Sequence, residues 1–244
     1  SDTMPETADN LAIEFQLSRK DCDKFAFGSQ EKYAAAKKEG FFVDEIMSIK
    51  VPGSRKEPDV VIEEDEFPRP GTPIEKFADM RVLNAGGVTT PANSSGLNDG
   101  AVAVVVASKS AGKKISIPPL VKVLSSGVAG VAPRTMGYGP VPAAEIALKR
   151  AGLSLSDMDV IEINEAFAAQ VLACLKGMKI DFSDSRVNPN GGAISIGHPL
   201  GASGTRIALT AARQLNRING RYALVSMCIG MGQGIAMVME RYVA

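Results

Sequence analysis

The sequence predicts an α/β protein whose mixed β-sheet is covered by helices in a three-layer arrangement. From about residue 91 onward, short apolar runs alternate with stretches of helical periodicity, and Gly and Pro separate them. The preceding residues differ, because they contain most of the charge runs of the chain. We therefore predict two domains, at residues 1–92 and 93–244.

In the first domain, Ser18 and Asp21 have the spacing of a capping box, which predicts a helix that Gly40 ends. Residues 41–51 alternate weakly between apolar and polar and predict a strand. Two prolines make residues 63–72 irregular.

The second domain contains the regular α/β pattern. Helical periodicity predicts helices at residues 142–151, 164–175 and 203–218. Apolar runs predict strands at residues 101–107, 121–131, 160–163, 222–228 and 235–242, the last two as antiparallel neighbours.

The composition argues against several classes of function. Lys+Arg and Asp+Glu each number 27, so the chain lacks the basic surplus of nucleic-acid binders. No run approaches the roughly 18 apolar residues of a membrane helix, and the polar N-terminus is unlike a signal peptide. Three cysteines without CxxC spacing and one histidine predict neither a disulfide scaffold nor a metal site. We expect a cytoplasmic protein without nucleic-acid or membrane partners.

Three polar, glycine-rich loops follow predicted strands or precede a predicted helix. They are NEAFA at 164–168, NPNGGAISIGHPLGASG at 188–204 and CIGMGQG at 228–234. Together they offer an Asn, a His and a Cys, which can orient, accept and donate protons, and glycines whose N–H groups can approach an oxyanion. A catalytic site is one interpretation of this pattern.

Each residue alone also has a purely structural interpretation. His198 could cap the following helix, Cys228 could be a small core residue, and Asn164 could be a helix N-cap. Three such loops together favour the site.

These motifs closely resemble the thiolase family, which comprises acetyl-CoA acetyltransferases and 3-ketoacyl-CoA thiolases. Further matches are MPETADNLA at 4–12, NSSGLNDGA at 93–101 and MGYGPVP at 136–142. The resemblance implies the five-layered thiolase fold, in which two similar α/β halves pack together with a loop domain between them. Residues 1–92 then form most of an α+β loop (lid) domain. Residues 93–244 form the C-terminal half, with a mixed five-stranded sheet and helices on both faces.

The resemblance also implies roles for the loop residues. Cys228 is similar to the cysteine that exchanges a proton with the α-carbon of the acetyl group. His198 is similar to the histidine that activates the acylated nucleophile and faces the thioester oxygen. Asn164 resembles the residue that holds a water at that oxyanion site, and the N–H of Gly230 contributes to a second one.

Coenzyme A thioesters are the implied substrates. Ser95 matches the serine that contacts pantetheine, and Arg69 matches a basic residue near the nucleotide. Met4, Met136 and Phe167 resemble residues that line the pocket. The resemblance implies no metal and no redox cofactor.

One part of the family pattern is absent from these residues. Thiolases carry the acylated cysteine in the N-terminal half, and Cys22, in a charged helix, does not match its motif. We therefore expect an acyl-CoA:acetyl-CoA C-acyltransferase that acts by thiolysis or condensation once an N-terminal half supplies that cysteine, as a homodimer or tetramer. The alternatives are a non-catalytic CoA-binding or scaffold subunit, and a cysteine hydrolase with Cys228, His198 and Asn164 as its triad.

Overall fold

The N-terminal region is helical with one small hairpin. The computed structural model describes residues 2–54, 57–114 and 117–243. The elements of this region are helices α1 (Met4–Glu14), α2 (Arg19–Lys38) and α3 (Ile74–Ala78), strands β1 (Ile49–Val51) and β2 (Val60–Ile62), and a 3₁₀ turn at Pro91–Asn93.

The capping box before α2 is confirmed. The Asp21 amide donates to Ser18 Oγ over 3.1 Å, and the Ser18 amide donates to Asp21 Oδ2 over 3.1 Å. The strand predicted at 41–51 is wrong except at its end, where β1 pairs antiparallel with β2. Phe41 and Phe42 are instead buried in a cluster with Tyr33, which removes them from any sheet.

The second region contains the main sheet and the helices that cover it. Its helices are α4 (Lys109–Gly112), α5 (Pro140–Ala151), α6 (Ala168–Met178), α7 (Ala193–Ile196) and α8 (Ser203–Ile218), with 3₁₀ turns at Pro133–Tyr138 and Leu155–Asp157. Its strands are β3 (Val121–Gly130), β4 (Val160–Ile163), β5 (Tyr222–Ile229) and β6 (Gln233–Arg241).

The main sheet is mixed, as predicted. Its strand order is β3-β6-β5-β4, and β4 and β5 are parallel while the other pairs are antiparallel. Because β4 and β5 run in the same direction, their carboxyl ends lie side by side. Asn164 follows β4 and Cys228 lies near the end of β5, so both reach the same edge of the sheet.

Helices cover both faces of the sheet, and alternate strand residues face them. Ile161 and Leu224 belong to a core that includes α5 and α6 residues. Val160 and Val225 point to the opposite face and pack with Ile207 of α8. No helix among the described residues combines the length and apolar character required to cross a membrane.

Two predicted elements differ from the structure. Residues 101–107 form no strand, so the sheet has four strands where five were predicted. Val105 and Val106 are each 86% exposed, because no strand among the described residues pairs with this segment. The helix predicted at 164–175 begins at Ala168, since residues 164–167 form a non-helical loop after β4 that ends in the extended residue Phe167.

Candidate active site

Four segments meet at the carboxyl ends of β4 and β5. The Asn164 amide donates to Ser226 O of β5 over 3.0 Å. A segment around Ser95 lies beside the NEAFA loop, because the Ser95 amide donates to Ala166 O over 3.0 Å. The His198 amide donates to Gly96 O over 2.9 Å. These backbone bonds bring together loops that are far apart in the sequence.

His198 contacts a side chain at each ring nitrogen. Nδ1 lies 2.6 Å from Ser203 Oγ, and Nε2 lies 3.3 Å from Asn164 Nδ2. The Ser203 hydroxyl donates to Pro199 O over 3.0 Å, so its oxygen is left to accept from Nδ1–H. This network assigns the tautomer with a proton on Nδ1 and a lone pair on Nε2.

The imidazole is held neutral. Burial lowers the pKa of His198 below its ordinary value, and the positive charge of Arg206 lowers it further. Asn164 is buried, and its Oδ1 has no hydrogen-bond partner within the described part of the chain. His198 and Leu97 line an open depression, so the imidazole borders a concave site, with Asn164 buried behind it.

Glu165 fixes the loop that carries His198. This buried carboxylate accepts hydrogen bonds from Ser29 Oγ (2.7 Å), Asn188 Nδ2 (2.8 Å) and the Ile194 amide (3.1 Å). Gly192 lies directly against it, and a Cβ there would collide with the carboxylate. The NEAFA motif therefore includes a structural residue beside its candidate catalytic one.

Cys228 is buried at the end of β5, two residues beyond the strand residue that pairs with Ile163. Burial raises the pKa of its thiol to about 11, so the group is protonated near neutrality. In the described residues, no hydrogen bond joins Cys228 to His198 or Asn164. The chain then turns sharply through Met231, which has φ 69°, and a side chain at Gly230 would meet nothing within 4 Å.

The other two cysteines are core residues. Cys22 and Cys174 are completely buried. Burial raises the pKa of Cys22 to about 12 and raises that of Cys174 strongly. Neither has the accessible, low-pKa environment of a nucleophilic thiol.

The residues predicted to bind CoA lie in several separate segments of the chain. Ser95 Oγ donates to Ala166 O over 3.1 Å, and Phe167 precedes α6 in a bridge with Ser94. Arg69 is exposed, and its guanidinium donates to nearby backbone carbonyls of residues 66–68. Its neighbour Phe67 packs so closely on Gly96 that a Cβ would collide with the ring.

Met4 and Met136 belong to two elements that pack on one another. Met4 begins α1 and is 45% exposed, whereas Met136 is buried in the turn at 133–138. That turn also packs on β5 and β6. The place of both methionines in a pocket beside His198 stays a prediction.

Three further residues were missed by sequence reasoning. Ser203 orients the imidazole, and Glu162 and Arg206 are buried charged residues next to the site. The spacing could have revealed Arg206, since it lies on the same helical stripe as the buried Ser203, Ile207 and Thr210. Among the described residues, no group of three His, Cys, Asp or Glu side chains could hold a metal ion.

Comparison with known proteins defines the family. The family model "Thiolase, C-terminal domain" matches residues 117–241, and the family model "Thiolase, N-terminal domain" matches residues 1–110. The chain therefore belongs to the thiolase family. The exposed segment at 101–107 falls within the match to the N-terminal domain, whereas the boundary predicted at residues 92 and 93 stays a prediction.

Among curated relatives, a β-ketoadipyl-CoA thiolase of Acinetobacter baylyi is 50% identical over 241 residues, covering 98% of this chain and 60% of the relative. The 3-oxoadipyl-CoA/3-oxo-5,6-dehydrosuberyl-CoA thiolase of Escherichia coli is 48% identical over 242 residues, covering 99% and 60%. The chain thus spans about three-fifths of the length of these relatives.

Solved structures agree with the fold. The crystal structure of human mitochondrial 3-ketoacyl-CoA thiolase matches with a TM-score of 0.92 and 45% identity, covering 98% of this chain and 60% of that one. The acetyl-CoA acetyltransferase of Bacillus anthracis matches with a TM-score of 0.94 and 37% identity, with the same coverage of 98% and 60%. The expected thiolase fold is confirmed.

Proposed function

We propose that this chain forms the proton-transfer side of an acyl-CoA:acetyl-CoA C-acyltransferase, acting by thiolysis of 3-ketoacyl-CoA or by Claisen condensation. The observation that carries the proposal is the buried contact between Asn164 and His198 beside Cys228 at one sheet edge. The relatives at about 50% identity are named thiolases, which supports the same chemistry.

The residue types suit this reaction. A neutral imidazole with an unprotonated Nε2 can accept the proton of an attacking thiol, and it can donate a hydrogen bond once protonated. Cys228, a protonated thiol at rest, can supply the α-proton of the acetyl group and, once deprotonated, can remove it. Asn164 and the Gly230 N–H are the proposed donors toward negative charge on oxygen. The same groups can serve both thiolysis and condensation.

The acylated cysteine is proposed to come from an N-terminal thiolase half. Cys22 and Cys174 are enclosed in the core and Cys228 has the proton-transfer role, so no cysteine of this chain is left for acylation. The incomplete coverage of the relatives leaves room for that half. We further propose that the assembled enzyme is a homo-oligomer in a reducing, cytoplasmic compartment, where its three buried thiols stay free.

Coenzyme A thioesters are the proposed substrates, and the residues predicted for their binding are Ser95, Arg69, Met4, Met136 and Phe167. Support comes from the human thiolase solved in complex with CoA, which matches this chain with a TM-score of 0.91 and 45% identity. The proximity of Ser95 to the Asn164 loop also supports the proposal. No separate metal or redox cofactor is part of it.

The test is reconstitution. The chain is co-expressed with the N-terminal part of the Acinetobacter β-ketoadipyl-CoA thiolase that it does not cover, and CoA-dependent cleavage of 3-oxoadipyl-CoA and acetoacetyl-CoA is followed. Cleavage that His198→Ala abolishes and the rim variant Leu200→Ala retains supports the proposal. CoA binding without cleavage of either thioester would favour a scaffold subunit. Hydrolysis by the chain without CoA would favour the hydrolase, although the raised pKa of Cys228 opposes it.

A further inference from the structure

Two oppositely charged side chains are buried next to the site without hydrogen bonds. Glu162 is 0% exposed, and neither carboxylate oxygen has a partner within the described residues. Arg206 is 8% exposed, and all three guanidinium nitrogens are likewise without a partner there. Burying charge without hydrogen bonds is unfavourable, so such residues are candidates for a function.

Their positions relate both residues to the catalytic pair. Arg206 lies one helical turn beyond Ser203, the residue that accepts from His198 Nδ1. Glu162 lies two residues before Asn164, and alternate strand residues share a face. That face is the one on which Val160 packs against α8. Glu162 and Arg206 therefore lie behind Asn164 and His198, on the side of the sheet that α8 covers.

We propose that Arg206 is a positioning residue that sets the electrostatic environment of His198 and Asn164, with Glu162 as its buried neighbour. This inference rests on the proposed acyl-transfer function. The positive charge of Arg206 opposes formation of an imidazolium, so His198 keeps its Nε2 lone pair. The same charge favours negative charge on a thioester oxygen held between His198 and Asn164.

Glu162, the fully buried acid next to Arg206, does not cancel the charge of Arg206 near neutral pH. Burial raises the pKa of Glu162 to about 8, with Arg206 and Lys32 lowering it and Glu45 and Glu165 raising it. Burial also raises the pKa values of Glu45 and Asp65, although Arg206 lowers both and Arg213 lowers that of Glu45. Within the described residues, Arg206 is the charged group that acts on His198. At the pH where His198 titrates, Glu162 is therefore neutral.

The test uses the single histidine of the chain as its own probe. Histidine labelled with ¹⁵N is incorporated into this chain only, the chain is assembled with an unlabelled N-terminal thiolase half, and the imidazole is titrated by NMR. We expect Arg206→Gln to raise the pKa of His198 by roughly 0.5–1 pH unit. Arg206→Lys retains the positive charge, and Glu162→Gln replaces an acid that is already neutral. Each variant should therefore leave the pKa of His198 within about 0.2 pH unit of the wild-type value.

An unchanged pKa in Arg206→Gln, or equal shifts in Arg206→Gln and Glu162→Gln, would overturn the inference. If Arg206→Gln does not fold, a rise of about 0.5 pH unit or more in the His198 pKa of Arg206→Lys would likewise overturn the inference. Because the titration does not depend on catalytic turnover, it tests the role of Arg206 separately from the proposed acyl transfer. An inactive assembly with the expected shifts refutes only acyl transfer, whereas an active assembly without them refutes only the role of Arg206.

Discussion

The side-chain amide of Asn164 lies 3.3 Å from Nε2 of His198, although 34 residues separate the two in the sequence. Asn164 is held by the end of β4, and His198 by a loop that Glu165 and Gly96 fix in place. Because Glu165 directly follows Asn164, the same loop that carries Asn164 also holds the loop that carries His198. The two side chains are therefore brought together by hydrogen bonds between their loops.

Under the proposed acyl transfer, replacing His198 with alanine should remove the base that activates the cysteine of the N-terminal half. We expect acylation of the assembled enzyme by acetyl-CoA to slow by roughly 10²–10⁴-fold, since general base catalysis contributes about this much. Stopped-flow release of CoA measures the step. Leu200→Ala, exposed at the rim of the same depression, is the matched control and should retain the wild-type rate. Acylation of His198→Ala at the wild-type rate would show that the base is elsewhere.

Ser203→Ala should leave His198 in place but no longer fix which ring nitrogen carries the proton. The hydroxyl that accepts from Nδ1–H is lost, so the proton can move to Nε2, where it would block acceptance from a thiol. The ¹⁵N chemical shifts of the ring should move toward the Nε2–H form, and acylation should slow by about tenfold or more. Wild-type ring shifts in Ser203→Ala would contradict the assigned network.

Val105 and Val106 should drive association with an N-terminal thiolase half. Each is 86% exposed in a segment that matches the thiolase N-terminal domain, and exposed apolar patches mark interfaces or aggregation. We expect the chain to be soluble and to unfold cooperatively only with an N-terminal half. Replacing both valines with serine should weaken that assembly, whereas Val60→Ser, in the exposed hairpin, should not. A soluble chain that unfolds cooperatively as a monomer would contradict the prediction.

The buried carboxyl of Glu162 should make stability depend on pH. Its folded-state pKa is raised from 4.5 to about 8, so it favours folding below pH 4.5, and that contribution is lost as the pH rises to about 8. Glu162→Gln should therefore raise the thermal midpoint of the assembled enzyme at pH 8.5 by about 2–4 °C more than at pH 5. Glu63→Gln, on an exposed residue, is the control. Equal effects at both pH values would show that Glu162 does not titrate in this range.

The sequence predicted most of the main sheet, because β4, β5 and β6 are short apolar runs bounded by polar or glycine-rich segments. It failed at 101–107 for a physical reason: an apolar run is typical of a strand, but forming one requires a neighbouring strand. The sequence shows the apolar run but does not show whether a neighbouring strand is present. The non-helical 164–167 segment was missed because the helical pattern of α6 continues backward through residues that instead bond to other loops.

The candidate site was predictable in its residue types and not in its contacts. Asn164, His198 and Cys228 each stand out in a glycine-rich loop, and the structure places all three near one sheet edge. Ser203 and Arg206 depend on a turn of α8 whose buried face is set by tertiary packing. A charged residue on a buried helical stripe is the one sequence signal that could have revealed Arg206.

The proposed function requires that Cys228 transfers the α-proton and that another cysteine carries the acyl group. Cys228→Ser in the assembled enzyme tests it most directly, because a serine hydroxyl is a far weaker base than a thiolate. Single-turnover acylation and deuterium exchange at the acetyl methyl are measured on one preparation, with the buried-thiol variant Cys174→Ser as the control. We expect acylation to persist and exchange to fall by about 10²-fold or more. Loss of both, with a labelled acyl group mapped to Cys228 in the unmutated protein, would contradict the account.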